Sequence, residues 1–323
     1  MTWLLTGGAG YIGAHVLRSL QASGRDVVVL DDLSTGLARK VPEGVPVVQA
    51  DVRDRDAVAT ALSDHRVTGV IHLAAKKAVG ESVERPHYYY RQNVEGAMAL
   101  TEAMVATGVT RLVYSSSAAV YGAPDVDLVL ESTPTLPVNP YGETKLVGEW
   151  IGRDLAVAAG LSVVALRYFN VAGTGGDDLG DVGAFNLIPM VLRACTRGER
   201  PQIFGDDYPT PDGTCVRDYI HVADLADAHV AAAARTEADE PGFAAYNIGR
   251  GTGSSVREVL ASVATALGHE LDAEVTARRP GDPARLVGSV DLARAELGWT
   301  ASRDLDAMTA SAWSAWQANP PLT

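Results

Sequence analysis

Residues 4–17, LLTGGAGYIGAHVL, restrict the fold more than any other stretch of the chain. A short apolar strand ends at Thr6, glycines follow at 7, 8, 10 and 13, and an amphipathic helix begins. Gly8-Ala9-Gly10-Tyr11-Ile12-Gly13 satisfies the dinucleotide fingerprint, and Gly7, Gly10 and Gly13 satisfy the wider G-x-x-G-x-x-G spacing. Glycines there serve the tight turn, the approach of backbone to a pyrophosphate, and the packing of helix on strand. The helix N-terminus adds amides and partial positive charge for the anion. Gly7, Gly10, Tyr11, Ile12 and Gly13 are therefore candidate cofactor contacts. Glycine spacing alone can mark a mere turn, but the acid expected about 20 residues on is present as Asp31, closing DVVVLD. A carboxylate there suits the adenosine ribose hydroxyls and repels a 2′-phosphate, which favours NAD over its phosphorylated relative. Arg39 and Lys40 follow closely and weigh the other way.

The rest of the first half repeats this rhythm. Apolar runs at 3–6, 26–31, 45–51, 68–74, 110–116 and 161–170 read as buried strands, with helical patterns at 11–23, 54–65, 87–107 and 141–159 between them. Near-continuous apolar strands alternating with helices predict a parallel sheet covered on both faces, a Rossmann-type doubly wound α/β fold. After residue 172 the rhythm breaks into Gly-, Pro- and Asp-rich stretches and shorter helical patterns at 185–196, 222–236, 255–267, 290–297 and 304–317. This divides the chain into a dinucleotide domain, 1–172, and a smaller substrate domain, 173–323. Parts of the latter, such as the helix after residue 221, are free to pack back on the first sheet.

Charge and composition narrow the partners. A net charge of −13 leaves no basic excess for a nucleic acid or an anionic membrane. No apolar run approaches the roughly 18 residues of a membrane span. Cys195 and Cys215 have no disulfide or CxxC spacing and suit thiols of a cytoplasmic protein. The seven histidines show no metal-ligand spacing, so no metal is expected.

A second candidate site is VNPYGETKLVGEW, 138–150. Tyr141 precedes Lys145 by four residues just after a proline suited to opening a helix, so phenol and ammonium share one face. Spacing alone fits an incidental surface pair as well as an acid–base pair. If the ammonium stands about 4 Å from the phenolate, an effective dielectric of ~20 gives up to ~4 kcal/mol, roughly three pKa units. A cationic nicotinamide ring would add in the same sense, and the two together would bring the phenol toward the pH where a general base works best.

TGGAGYIG, the Tyr-x-x-x-Lys pair and the strand-end SSS resemble the extended short-chain dehydrogenase/reductase family. AVGESV (78–83), SSSAAVYG (115–122), RYFN (167–170), IFGDDYPTPDGTCVRDYIHVADLADAH (203–229), YNIG (246–249) and RRPGD (278–282) narrow the resemblance to the UDP-glucose (UDP-galactose) 4-epimerases, in that family's order and over essentially the whole chain. The resemblance implies bound NAD, a UDP-hexose substrate, a homodimer and no net redox change. A hydride leaves C4, the 4-keto sugar turns over, and the hydride returns to its other face.

Residue by residue, it implies Tyr141 as acid–base group, Lys145 as its partner and a nicotinamide-ribose ligand, and Ser117 as proton relay and sugar contact. Further cofactor contacts would be Asp51, Val52, Leu73, Ala74, Ala75, Lys77, Asn93, Ser115, Tyr168 and Phe169. Substrate contacts would be Asn170, Asn186, Leu187, Gln202, Phe204, Arg217, Arg279, Asp282 and Leu286, with the two arginines on the diphosphate. Ala119 replaces a common threonine, Ala75 a common glycine, and Val171 a common proline. Leu286 stands where a large tyrosine restricts the pocket to unsubstituted hexoses and a small residue admits N-acetyl sugars. Leucine is intermediate, which leaves UDP-N-acetylhexosamines open. A nucleotide-sugar 4,6-dehydratase would need acid–base carboxyls where Ala118 and Ala119 stand. A reductase would differ in cofactor retention, and a non-catalytic NAD sensor would not need the Tyr/Lys pair.

Overall fold

The computed structural model describes residues 1–181, 183, 186–238, 240–279 and 281–320. Phe185, which opens the 185–196 helical pattern, and Pro280 of RRPGD lie outside them. The strands run in chain order β1 (Thr2–Thr6), β2 (Asp26–Asp31), β3 (Val47–Gln49), β4 (Gly69–His72), β5 (Arg111–Ser115), β6 (Ser162–Tyr168), β7 (Asn170–Ala172), β8 (Gln202–Phe204), β9 (Val216–His221), β10 (Gly242–Ile248), β11 (Gly253–Ser255), β12 (Glu274–Thr276) and β13 (Arg285–Leu286). Seven of them form one parallel sheet ordered β10-β6-β5-β4-β1-β2-β3. This is the expected doubly wound arrangement, and its order reverses between β1 and β4, which opens a crevice at their carboxyl ends.

Successive side chains of a strand point to opposite faces, so each strand here must be apolar on both. Leu5, Val29, Ile71 and Val113 pack on one face against the helices Tyr11–Ala22 and Val222–Thr236. Leu4, Val28, Val70 and Leu112 pack on the other against Arg55–Asp64, Gly96–Thr107 and Pro140–Ala158. Burying each such side chain stabilises the fold by roughly 1.5–3 kcal/mol, and a charge at any of these positions would break a layer.

One covering helix and the seventh strand come from beyond residue 172. Val222–Thr236 is rich in fully buried alanines, which let it lie close against the first helix. The strand β10 then pairs with β6 along Gly242–Ile248. Its GFAAYNI sequence is short and poor in β-branched residues, so it carries little strand signal of its own. The remaining chain builds a smaller layer. In it β9 pairs with β7, β11 and β13, β8 pairs with β12, and the helices Leu187–Thr196, Val256–Leu267 and Leu305–Ala318 enclose a separate core.

The 87–107 pattern contains a break that periodicity does not reveal. After Pro86–Tyr89 the chain makes a π turn at Tyr90–Glu95 before Gly96–Thr107. Such turns often sit at functional sites because they re-aim a side chain, and here the turn holds Asn93.

Candidate active site

The carboxyl ends of the strands open into a cleft of ≈ 660 Å³. Of the residues expected at a site, Gly7, Gly10, Tyr11, Ile12, Gly13, Asp31, Asp51, Val52, Leu73, Ala74, Ala75, Lys77, Ser117, Tyr141, Lys145, Tyr168, Phe169, Asn170, Asn186, Arg217, Asp282 and Leu286 border it. They come from both halves of the chain, and sequence positions as distant as 7 and 286 meet on one surface.

At one end, β1 passes into the glycine turn. Gly7 has φ of +73°, and a Cβ there would stand 2.9 Å from the backbone nitrogen of Ala74. A Cβ on Gly13 would fall 2.1 Å from the carbonyl oxygen of Gly7. Both positions require glycine, and the result is a side-chain-free cradle beneath the N-terminus of helix Tyr11–Ala22, which suits a pyrophosphate. Asp31 ends β2 on the cleft wall, its carboxylate accepting from the amides of Ala9 and Leu33 at 2.9 Å each. Burial raises its pKa, and those two bonds oppose the rise. Asp51 is held by Arg53, whose hydrogen bond lowers its pKa. The Lys40 ammonium points away from the adenosine end, donating to the carbonyls of Leu179 and Gly180 at 3.3 and 2.8 Å, and burial pulls its pKa down to about 8. Arg39 does not border the cleft. A cation that motif spacing does not name, Lys76, lowers the Asp31 pKa and donates to Ser34 Oγ at 2.9 Å. The cradle and the acid together fit NAD.

Asn93 and Ser115 stand behind the wall. Asn93, 3% exposed, accepts from the Lys76 amide at 2.8 Å and donates to the Lys76 carbonyl and Thr144 Oγ1 at 3.0 Å each. It thus ties the loop after β4 to the helix bearing Tyr141. Ser115 Oγ meets His229 Nε2 at 3.1 Å, and its carbonyl accepts from Lys145 Nζ at 2.7 Å.

Helix Pro140–Ala158 starts at Asn139, whose side chain accepts from the Gly142 amide at 2.9 Å, with Pro140 in the first turn. Capping and proline fix where the helix begins, and so aim Tyr141 and Lys145, 8% and 3% exposed, into the cleft. In the protein alone the phenol is not depressed. Burial pushes Tyr141 above its ordinary value, and a hydrogen bond with Ser117 opposes the rise. The Lys145 ammonium lies 6.0 Å from the Tyr141 ring centroid and is committed to the Ser115 carbonyl, and burial lowers it to about 8. Desolvation therefore outweighs Coulomb attraction for both members of the pair.

At the opposite end, Arg217 of β9 borders the cleft 3.5 Å from Asp282. Asn186 donates to Asp181 at 3.0 Å. The other residues expected here do not reach the cleft. Arg279 stacks 3.7 Å above the Phe204 ring on the β8–β12 arm, Gln202 is exposed at the start of that arm, and Leu187 packs into the second core. Leu286 is half-buried and packs on the cluster that includes Phe169, Tyr121 and Leu146. Val79 and Val83 also border the cleft unforeseen, although AVGESV, which contains them, had been singled out.

Fold and site define a dinucleotide-dependent enzyme of the short-chain type, with a buried phenol, Tyr141, on its cleft wall. Residues 3–249 match the model of the NAD dependent epimerase/dehydratase family. A UDP-glucose 4-epimerase from Streptomyces lividans is 46% identical over 322 residues, 99% of this chain and 97% of that protein. Among solved structures, a UDP-glucose 4-epimerase from Stenotrophomonas maltophila, with bound NAD and formylated UDP-arabinopyranose, superimposes with a TM-score of 0.94 at 40% identity, covering 98% of each chain. One from Bifidobacterium longum, in complex with NAD+ and UDP, gives 0.93 at 38% identity over 99% of each chain. The chain belongs to the NAD dependent epimerase/dehydratase family and, within it, to the UDP-glucose 4-epimerases.

Proposed function

We propose that the chain interconverts UDP-galactose and UDP-glucose, with Tyr141 exchanging the proton of the sugar's C4 hydroxyl. When bound, NAD supplies a hydride acceptor and donor, so oxidation and reduction cancel over one turnover. Gly7, Gly10 and Gly13 cradle its pyrophosphate, and Asp31 receives the adenosine ribose. Lys145 keeps two ammonium donors beyond its Ser115 bond, enough for the ribose hydroxyls at the nicotinamide end. Burial holds Tyr141 as a neutral phenol in the protein alone. To take the C4 hydroxyl proton it must become a phenolate, which the Lys145 ammonium and the cationic nicotinamide of bound NAD would favour. Ser117 would link it to the sugar oxygen. Arg217 pairs with a substrate phosphate, where a guanidinium is suited to bidentate contact. Asp282 and Asn186 flank the uridine end, and Arg279 on Phe204 lies one step outside the cleft wall. The observation that carries this reading is the convergence of Tyr141, Lys145 and Ser117 on the same cleft as the glycine cradle.

Tyr141→Phe tests it. The variant is expected to keep its bound NAD and its affinity for UDP while losing at least ~10²-fold in kcat, the range of a general acid–base group. Turnover within a few-fold of wild type would refute the assignment.

The quaternary reading is a homodimer. Met98 and Val105 on one helix, and Trp150 and Val157 on its neighbour, are each seven residues apart and 46%, 46%, 46% and 88% exposed. That spacing sets each pair on one stripe, and two adjacent apolar stripes suit a second copy of the chain. The cytoplasm is the proposed compartment, supported by two cysteines that are both free. Among the described residues no helix is long and apolar enough to cross a membrane.

A further inference from the structure

Three consecutive serines follow one another out of β5, and their hydroxyls go three ways. Ser115 meets His229, Ser116 Oγ donates to Glu149 Oε1 at 2.5 Å, and Ser117 faces the cleft beside Tyr141. Glu149 lies one helical turn beyond Lys145 and two beyond Tyr141. It is 3% exposed and gripped by the fork of Arg167, with Nε to Oε1 at 2.8 Å and Nη2 to Oε2 at 2.6 Å. The remaining Arg167 donor, Nη1, reaches Tyr121 Oη at 2.9 Å, and that hydroxyl donates to Asn247 Oδ1 at 2.7 Å. The segment 116–121, which carries Ser117, is thus fastened at both ends to a single ion pair. Neither Glu149, Arg167, Ser116 nor Tyr121 borders the cleft.

We propose that Glu149 is a positioning residue for the epimerisation, acting through Ser116 to hold the Ser117 hydroxyl against Tyr141; this rests on the function proposed above. A buried ion pair is a weak source of stability compared with apolar side chains of the same size, so its worth here lies in geometry. The bidentate fork fixes the plane of the carboxylate. An ionised carboxylate only accepts, so the Ser116 hydroxyl has one direction in which to donate. Arg167 cancels the charge of Glu149, so the pair sets the position of Ser117 without placing a net charge beside Lys145. Glu149 belongs to the helix that carries Tyr141, so one rigid element sets both the phenol and the hydroxyl it must meet.

The test is a double-mutant cycle on the NAD-loaded enzyme, using Ser116→Ala and Ser117→Ala with UDP-galactose. Ser116→Ala is expected to lower kcat about tenfold, since sub-ångström misplacement of a reacting group is costly, with KM and bound-NAD content within twofold of wild type. In the Ser117→Ala background the same change is expected to cost less than about twofold, because the hydroxyl it positions is gone. An equal loss in both backgrounds, or no loss in either, overturns the proposal. Glu149→Gln, which keeps the side chain's shape, is expected to lose kcat in the same background-dependent way; a raised KM with kcat intact overturns it too. A wild type that leaves UDP-galactose unchanged refutes the functional reading and the positioning role with it, whereas an active wild type indifferent to Ser116→Ala refutes the positioning role alone.

Discussion

Lowering the pH from 7.5 to 5.5 is expected to destabilise the fold. Four histidines are buried: His15, His72, His221 and His229. Burial lowers their pKa values to about 4, 3, 4 and 4. For two of them a hydrogen bond requires the neutral ring. His15 Nε2 accepts from the Gly175 amide at 2.8 Å, and His221 Nδ1 accepts from that of Ala223 at 3.1 Å. A group whose folded pKa is depressed binds protons first in the unfolded chain. Its contribution is therefore complete above the unfolded value near 6.5 and is lost as pH falls toward the folded value. At pH 5.5 each histidine has given up slightly more than ~1 kcal/mol. Asp218 works the other way. It is raised to about 6 by burial, against amide bonds from Arg250 and Gly251, and returns less than about 1 kcal/mol over the same interval. The net loss is about 5 kcal/mol, a large share of the 5–15 kcal/mol that typically separates folded from unfolded protein. Urea titrations at the two pH values read it directly. A loss below about 1.5 kcal/mol would refute the neutral, buried state of these rings.

Three further outcomes follow from the geometry. Gly13→Ala would drive a methyl to 2.1 Å from the Gly7 carbonyl, so the purified variant is expected to carry little NAD, with melting lowered by an overpacking cost of ~1–3 kcal/mol or more; bound-NAD content and Tm check this. Leu286→Ala, which empties the side chain bordering the cleft beside Phe169, is expected to raise turnover of UDP-N-acetylgalactosamine relative to UDP-galactose, and an unchanged ratio in a paired assay would remove Leu286 as a size gate. Trp150→Glu, at a position 46% exposed, is expected to shift sedimentation from dimer to monomer while leaving the monomer's fold intact by circular dichroism.

The sheet was legible because β1, β2, β4, β5 and β6 are apolar on both faces, as a doubly covered parallel sheet demands, whereas β3 is a three-residue edge with no buried residue. The glycine loop was legible for a related reason: a Cβ at Gly7 or Gly13 collides with backbone, so the sequence has no alternative to offer there. What escaped reading was whatever depended on tertiary partners. β10 declares itself only by pairing with β6, and the π turn at Tyr90–Glu95 follows from Asn93 reaching Lys76 and Thr144. Arg39 and Lys40 looked like threats to NAD preference from proximity in the chain. In three dimensions Lys40 is spent on the carbonyls of Leu179 and Gly180, which fasten the second half of the chain to the first.

The Tyr141–Lys145 pair shows where sequence reasoning reaches its limit. Four-residue spacing puts both side chains on one helix face, and that placement is what the structure contains. Spacing says nothing about how deep that face lies, and depth governs the electrostatics. Removing a phenol and an ammonium from water disfavours the charged form of each, which raises one pKa and lowers the other. The two values are thereby pushed apart: Tyr141 is held protonated, and Lys145 is left near 8. A lysine poised there still carries its charge at neutral pH, and the Ser115 carbonyl anchors it in place. The protein alone therefore holds the pair in a fixed geometry with a neutral phenol, and a base role for Tyr141 would need the cationic ring of bound NAD to bring the phenol back down. The groups that keep that geometry, Ser115 through His229 and Ser117 through Ser116 and Glu149, lie one layer beneath the residues that motif spacing could name.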